Sequence, residues 1–188
     1  MDPMTALDAS AARVLDLVGR ADRSLWTRQT PCPEWNVREL IGHLLAGMLG
    51  YTRMLHGAPA TALPELGRQQ ATLGGDDPLS AVTDAVDQLR AAFIEPGALE
   101  RTVHHPMGDL PGSYLVPMQT GENVIHGWDL ATALGVPASI DDALAEYTYQ
   151  VYAQAAGGLA ASGYFAQPRQ PVPAGASPQE RLLALVGR

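Results

Sequence analysis

A carboxylate and an imidazole stand four residues apart in this sequence, at Glu122 and His126. If the segment is helical, side chains at that spacing project side by side from consecutive turns. A pair placed in this way can share one metal ion, and helical bundles build internal metal sites from such pairs. The same spacing also suits an ordinary exposed ion pair, so the pair alone leaves both interpretations open.

A second histidine, His43, lies inside the apolar run from Leu40 to Leu45. Alone, it would be interpreted as a hydrogen-bonded core residue. Together with Glu122 and His126 it completes a set of two imidazoles and one carboxylate, which is a common catalytic zinc set with the remaining position open to water or substrate. Nickel and iron(II) suit the same set, so zinc is favoured without the metal being fixed.

Three further residues bear on this predicted site. Asp129 follows His126 by three residues, and on a helix it would share its face. We predict that Asp129 orients His126 by a hydrogen bond, and ligation as a fourth donor is the alternative. One and two turns beyond His43, Gly47 and Gly50 either leave open volume beside the histidine or admit a closely packed helix.

Apolar residues recur at helical spacing in four long segments, which we predict to be helices over residues 5–20, 36–56, 78–93 and 117–134. A fifth helix is expected over 140–159 and a short last one over 180–186. Helix-start signals occur at Asn36, Asp77 and Ser177. Residues 58–77 are expected to form a surface loop with at most one helical turn, and 102–105 a short extended piece within a loop. The predicted fold is all-α: a four-helix bundle with a long crossover connection and short extra helices, as one domain over residues 1–188.

Composition narrows the function classes. The formal net charge of -8 disfavours binding to nucleic acid, because an acidic surface repels phosphates. No apolar stretch approaches the roughly 20 residues that span a bilayer, and the N-terminus lacks a basic signal-peptide region. The single cysteine, Cys32, excludes an internal disulfide and is expected to be a packed thiol. We therefore expect a cytoplasmic protein that binds neither nucleic acid nor membranes.

Three stretches occur in an order that resembles the DinB-like superfamily. They are TPCPEWNVRELIGHL at 30–44, ENVIHGWDLA at 122–131 and SPQERLLALVGR at 177–188. They are closest to an actinobacterial branch of small metal-binding proteins, similar to the N-terminal domain of mycothiol-dependent maleylpyruvate isomerase. The resemblance implies a four-helix bundle with a metal, usually zinc, in a cleft at one end. Its ligand positions match His43, Glu122 and His126.

The resemblance also implies an activity. In such proteins the open metal position can activate a low-molecular-weight thiol, such as mycothiol or bacillithiol, whose thiolate adds to an electrophile. We therefore expect a metal-dependent thiol S-transferase or isomerase that acts on a small molecule. The alternatives are a metal-dependent hydrolase, a non-catalytic small-molecule-binding protein, or a structural bundle with an empty site. With 188 residues the chain is too short for the additional C-terminal domain of the isomerase, and the resemblance allows a homodimer.

Overall fold

Helices dominate the computed structural model, which is described here for residues 1–154 and 172–188. The four long helices are α1 (Pro3–Gly19), α2 (Val37–Leu55), α5 (Pro78–Ile94) and α6 (Leu115–Leu134). The shorter elements are α3 (Ala62–Gly67), α4 (Gln70–Leu73), α7 (Asp142–Gln154), α8 (Pro178–Leu185) and the antiparallel strands β1 (Thr102–His105) and β2 (Gly108–Pro111). This confirms the predicted all-α bundle, to which the structure adds one small hairpin.

The start of α2 is fixed by a reciprocal pair of hydrogen bonds. The Asn36 side chain accepts from the Glu39 backbone N–H at 3.0 Å, and the Glu39 carboxylate accepts from the Asn36 N–H at 2.9 Å. Each bond satisfies an amide that would otherwise lack a partner at the helix end. The predicted starts at Asp77 and Ser177 are likewise confirmed, with side-chain caps on α5 and α8.

The long helices pack as a ring in the order α1, α6, α2, α5, since α1 and α2 each contact both α5 and α6. Consecutive helices α1 and α2 therefore face each other across the bundle, and residues 20–36 cross between them, as the predicted crossover requires. The core between the four helices is apolar and includes Leu17, Leu44, Phe93 and Leu130. Among the described residues, no helix is both long and apolar enough to cross a bilayer.

The segment after α2 contains more helix than predicted, because α3 and α4 occupy the stretch where a surface loop with at most one helical turn was expected. Glycines on α2 allow this close approach. A Cβ atom at Gly42 would lie 2.6 Å from the Gln70 carbonyl carbon of α4, and one at Gly50 would lie 2.6 Å from Leu63 Cδ1 of α3. Of the two interpretations of Gly50, close helix packing is therefore the one observed.

One boundary also differs from the sequence-based prediction, and another lies outside the described residues. Helix α6 begins at Leu115 and contains Pro117 in its first turn, where proline is tolerated because those amides have no partner within the helix. Helix α7 is described to Gln154, so the predicted residues 155–159 lie outside the described part. The extended piece at 102–105 is confirmed as strand β1, with His104 opposite Asp109 of β2.

Candidate metal centre

Helices α2 and α6 bring the three predicted ligands together. His43 Nε2 lies 3.0 Å from Glu122 Oε2, and His126 Nε2 lies 3.4 Å from the same oxygen. The two imidazole ring centroids are 5.0 Å apart. One possible ligand atom from each residue lies within 4.8 Å of the other two. Residues that are 79 positions apart in the chain thus converge on one point.

These separations fit a small divalent cation. Zinc lies about 2.0–2.2 Å from nitrogen and oxygen ligands, which places two ligands of a tetrahedral site about 3.4 Å apart. The donors, two imidazoles and a carboxylate, are those that zinc accepts in catalytic sites. Within residues 1–154 and 172–188, no other group of three His, Cys, Asp or Glu side chains meets this spacing.

Asp129 lies where the sequence predicted, beside His126. Its Oδ2 atom is 3.0 Å from His126 Nδ1, and both side chains are buried. A proton on Nδ1 that is donated to Asp129 leaves Nε2 as the atom that faces Glu122. Such a carboxylate commonly fixes the tautomer and ring orientation of a metal-binding histidine. The geometry therefore favours the orienting role for Asp129 over direct ligation.

The two carboxylates make this pocket favour positive charge. Burial opposes protonation of His126, but its hydrogen bonds with Asp129 and Glu122 outweigh that effect and raise the pKa of His126 to about 9. Burial also acts to raise the pKa of Glu122, yet the bonds to His126 and His43 bring that pKa well below its ordinary value. Glu122 is therefore ionised, and the cluster can compensate the charge of a bound cation.

Arg188 forms a salt bridge with Asp129. The sequence did not indicate this contact. Its guanidinium contacts both carboxylate oxygens, with Nε 2.7 Å from Oδ1 and Nη2 2.9 Å from Oδ2. The Arg188 side chain is 8% exposed and that of Asp129 is 0% exposed. Burial acts to raise the pKa of Asp129, but its bonds to His126 and Arg188 lower it, so the carboxylate stays ionised.

Trp35 is a second neighbour that the sequence did not indicate. Its ring stacks on His43 with centroids 4.0 Å apart and planes at 25°, and it meets the edge of His126 at 5.5 Å. The loop that carries it is tied by the Thr30 hydroxyl, which donates to the Trp35 carbonyl oxygen at 2.7 Å. A possible signal was its position directly before the helix cap Asn36, where an apolar side chain commonly packs back on the helix.

Among the described residues of the cluster, two ligands are partly exposed and one is buried. The side chains of His43 and Glu122 are 29% and 26% exposed, whereas that of His126 is 6% exposed. Below Glu122, the ring of Tyr152 from α7 packs directly over Gly121, so closely that a Cβ atom there would overlap it. A ligand can therefore reach the cluster from the side of His43 and Glu122.

Cys32 and Gly47, which the sequence analysis considered, and a further histidine, His104, are not part of the cluster. Cys32 is buried, and burial raises its pKa, which opposes thiolate formation and agrees with a packed structural thiol. His104 is exposed on β1 and pairs with Asp109 at 2.8 Å. Gly47 faces Gln119 of α6, whose Oε1 would lie 3.3 Å from an added Cβ. The open volume that Gly47 could have left beside His43 is thus occupied by this side chain.

Fold and site together define the class: an all-α bundle of the DinB-like type with a candidate metal centre between two helices. Residues 7–131 match the family model described as the mycothiol maleylpyruvate isomerase N-terminal domain. The chain belongs to this family. The predicted resemblance is thereby confirmed.

Individual relatives agree with this assignment. Two uncharacterised proteins of Mycobacterium tuberculosis, from strains CDC 1551 / Oshkosh and H37Rv, are each 28% identical over 198 residues, covering 100% of this chain and 98% of their own. The crystal structure of the mycothiol-dependent maleylpyruvate isomerase matches with a TM-score of 0.67 at 19% identity, covering 84% of this chain and 68% of that one. A histidine-to-alanine mutant of that enzyme matches equally well, with a TM-score of 0.67 at 18% identity. At these identities the structural likeness shows a shared fold.

Proposed function

We propose that His43, Glu122 and His126 bind one divalent cation, with zinc the best fit, and that the chain is a thiol-dependent S-transferase or isomerase acting on a small electrophile. The observation that carries the metal proposal is the approach of both Nε2 atoms to one Glu122 oxygen, at 3.0 and 3.4 Å. Membership in a family described by a mycothiol-using isomerase supports the thiol proposal.

A cation held at this point would lower the pKa of a thiol bound at its open position, so that the thiolate is available near neutral pH. Neighbouring side chains orient the two histidine ligands. Asp129 accepts a hydrogen bond from His126 Nδ1–H, which directs Nε2 of the ring at the cluster, where a bound cation would replace the Nε2 proton. Trp35 covers one face of the His43 ring and limits its rotation. The partly exposed side chains of His43 and Glu122 mark the side from which a thiol and a small substrate would approach.

Metal analysis of the purified protein tests the first half of the proposal. We expect about one equivalent of a divalent metal per chain, and zinc, nickel and iron are distinguished by elemental analysis. His43→Ala and His126→Ala should each lose the metal. His104→Ala is the matched control, because His104 also pairs with a carboxylate but lies exposed on the hairpin. Full metal content in folded His126→Ala would show that the site assignment is wrong.

Turnover of a generic electrophile tests the second half. With monochlorobimane as substrate, we expect conjugation that requires both mycothiol and the metal and is lost in His126→Ala. Turnover of ester substrates without any thiol would instead favour a metal-dependent hydrolase. Stoichiometric metal with no turnover in either assay would favour a non-catalytic binding protein and contradict the enzymatic proposal.

A further inference from the structure

The chain beyond helix α8 folds back onto the bundle. Gly187 adopts a left-handed conformation with φ 74°, which few other residues tolerate, and the Arg188 N–H donates to the Leu183 carbonyl oxygen at 2.8 Å. This helix-ending turn directs the Arg188 side chain inward, where it reaches Asp129 on α6. Because the turn is closed by its own backbone hydrogen bonds, the direction of Arg188 is set locally by the sequence.

Arg188 and Asp129 form a two-point contact that fixes the plane of the carboxylate. The guanidinium fork meets both oxygens, at 2.7 and 2.9 Å, and neither side chain has appreciable access to solvent. Paired bonds of this kind restrict orientation far more than a single charge contact does. The oxygen that receives Nη2 of Arg188 also lies 3.0 Å from His126 Nδ1. A continuous chain of contacts therefore runs from Arg188 through Asp129 to His126.

We propose that Arg188 is a positioning residue of the metal centre, which holds Asp129 so that Asp129 in turn holds His126 with Nε2 facing Glu122 and His43. This inference rests on the proposed metal-binding function. Without Arg188, the buried carboxylate keeps one side-chain hydrogen bond, from His126, and its plane is no longer fixed. The His126 ring can then rotate with it, and the ligand atom leaves the common point.

Docking of α8 does not need this contact. Leu182 is fully buried against Ala6, Val124 and Leu144, and Val186 packs with Ile125. Arg181 on the same helix pairs with Glu146 and lies over the Tyr149 ring at 4.8 Å. A buried ion pair such as Arg188–Asp129 adds little net stability over apolar packing, so anchoring the helix is a poor explanation for it.

The test compares two arginines of the same region. Arg188→Ala and Arg181→Ala are purified, metal-depleted and titrated with zinc in competition with a chromogenic chelator. We expect Arg188→Ala to bind zinc about 10- to 100-fold more weakly than the parent, the usual effect of removing a partner behind a ligand. Arg181→Ala should stay close to the parent. Added guanidinium at low millimolar concentration should partly restore zinc affinity in Arg188→Ala only.

Several outcomes would overturn the proposal. Unchanged zinc affinity in folded Arg188→Ala would do so, and so would equal losses in both variants, which would indicate a general effect of α8. If Arg188→Ala fails to fold, Arg188→Lys keeps the charge without the fork, and parent-like zinc affinity in that variant would contradict the orienting role.

A readout on the metal-free protein separates this inference from the proposed function. The Nδ1 nitrogen and proton shifts of His126, measured by NMR, report the strength of its hydrogen bond to Asp129. We expect these shifts to change in Arg188→Ala and to stay unchanged in Arg181→Ala. If the parent binds no metal, the proposed function is wrong, whereas identical His126 shifts in parent and Arg188→Ala would refute the positioning role by itself.

Discussion

Three glycines on α2 differ in what a methyl group would meet, and this difference predicts an order of stability. At Gly42 the added carbon would overlap the backbone of Gln70, with the carbonyl carbon only 2.6 Å away. At Gly50 it would lie 2.6 Å from Leu63 Cδ1, which is the end of a flexible side chain. At Gly47 its nearest neighbour would be a side-chain oxygen at 3.3 Å.

The change in stability for each glycine-to-alanine substitution follows from two opposing effects. Replacing a helix-interior glycine by alanine stabilises a helix by about 0.5–1 kcal/mol when there is room for the methyl group. Gly47→Ala should keep part of this gain, because the Gln119 side chain has to move only a few tenths of an ångström. In Gly42→Ala the α4 backbone must move on the order of 1 Å or more to reach normal contact distance, and such overpacking costs about 1–3 kcal/mol. Gly50→Ala should be nearly neutral, because Leu63 can change its rotamer.

The assay is thermal or urea unfolding followed by circular dichroism, with a chelator present so that metal affinity does not contribute. A difference of about 2 kcal/mol between Gly47→Ala and Gly42→Ala corresponds to about 4–8 °C in Tm for a chain of this size. The expected order of stability is Gly47→Ala, then Gly50→Ala, then Gly42→Ala. Equal stability of Gly42→Ala and Gly47→Ala would refute the close packing of α4 on α2.

Three more outcomes are expected. Trp35→Leu should weaken zinc binding several-fold, because the stacked pair that restrains His43 contributes about 0.5–1.5 kcal/mol, and chelator competition measures this. Zinc at 100 times its Kd should raise the free energy of unfolding by about 2.7 kcal/mol, visible as a higher Tm that excess chelator reverses. Burial lowers the pKa of His105 in the folded chain below its ordinary 6.5. Just below pH 6.5 the unfolded chain therefore takes up a proton at His105 that the folded chain does not, and the free energy of unfolding falls with pH. Acid urea titrations should show that His105→Asn reduces this loss, while His104→Asn leaves it in place.

The helices that carry the ligands were predictable because their signals are local. The capping pair of Asn36 and Glu39 sets where α2 begins, and so it sets the face on which His43 lies. The four-residue spacing of Glu122 and His126 needs only that α6 be helical. Apolar periodicity supplied that information for both segments. Each of these signals spans only a few residues, which is why the sequence alone was sufficient.

The residues that position the ligands were not predictable, because their contacts are not local in the sequence. Arg188 lies 59 positions from Asp129 in the chain, and nothing near either residue indicates the contact. The place of Trp35 before the cap Asn36 favours packing back on α2, but that local signal does not indicate that its ring stacks on His43. The sequence predicted at most one helical turn after α2, because Pro and Gly residues in that segment favour loops, while the packing of α3 and α4 on α2 depends on glycines of α2 itself.

Helix α6 connects these observations, since it buries polar side chains that a bundle core would normally exclude. Some are bonded within the helix, as Gln119 is to Asn123, and others reach different elements: Ser10 of α1 accepts from Asn123, and Arg188 beyond α8 donates to Asp129. His43 of α2 similarly reaches a carboxylate of α6. A buried polar group without a partner costs about 1–3 kcal/mol, so each contact restricts how its helix can dock on α6. The hydrogen bonds to these buried side chains of α6 therefore also fix the positions of the candidate metal ligands. A substitution that removes one of these bonds should alter metal affinity even when the helices stay intact.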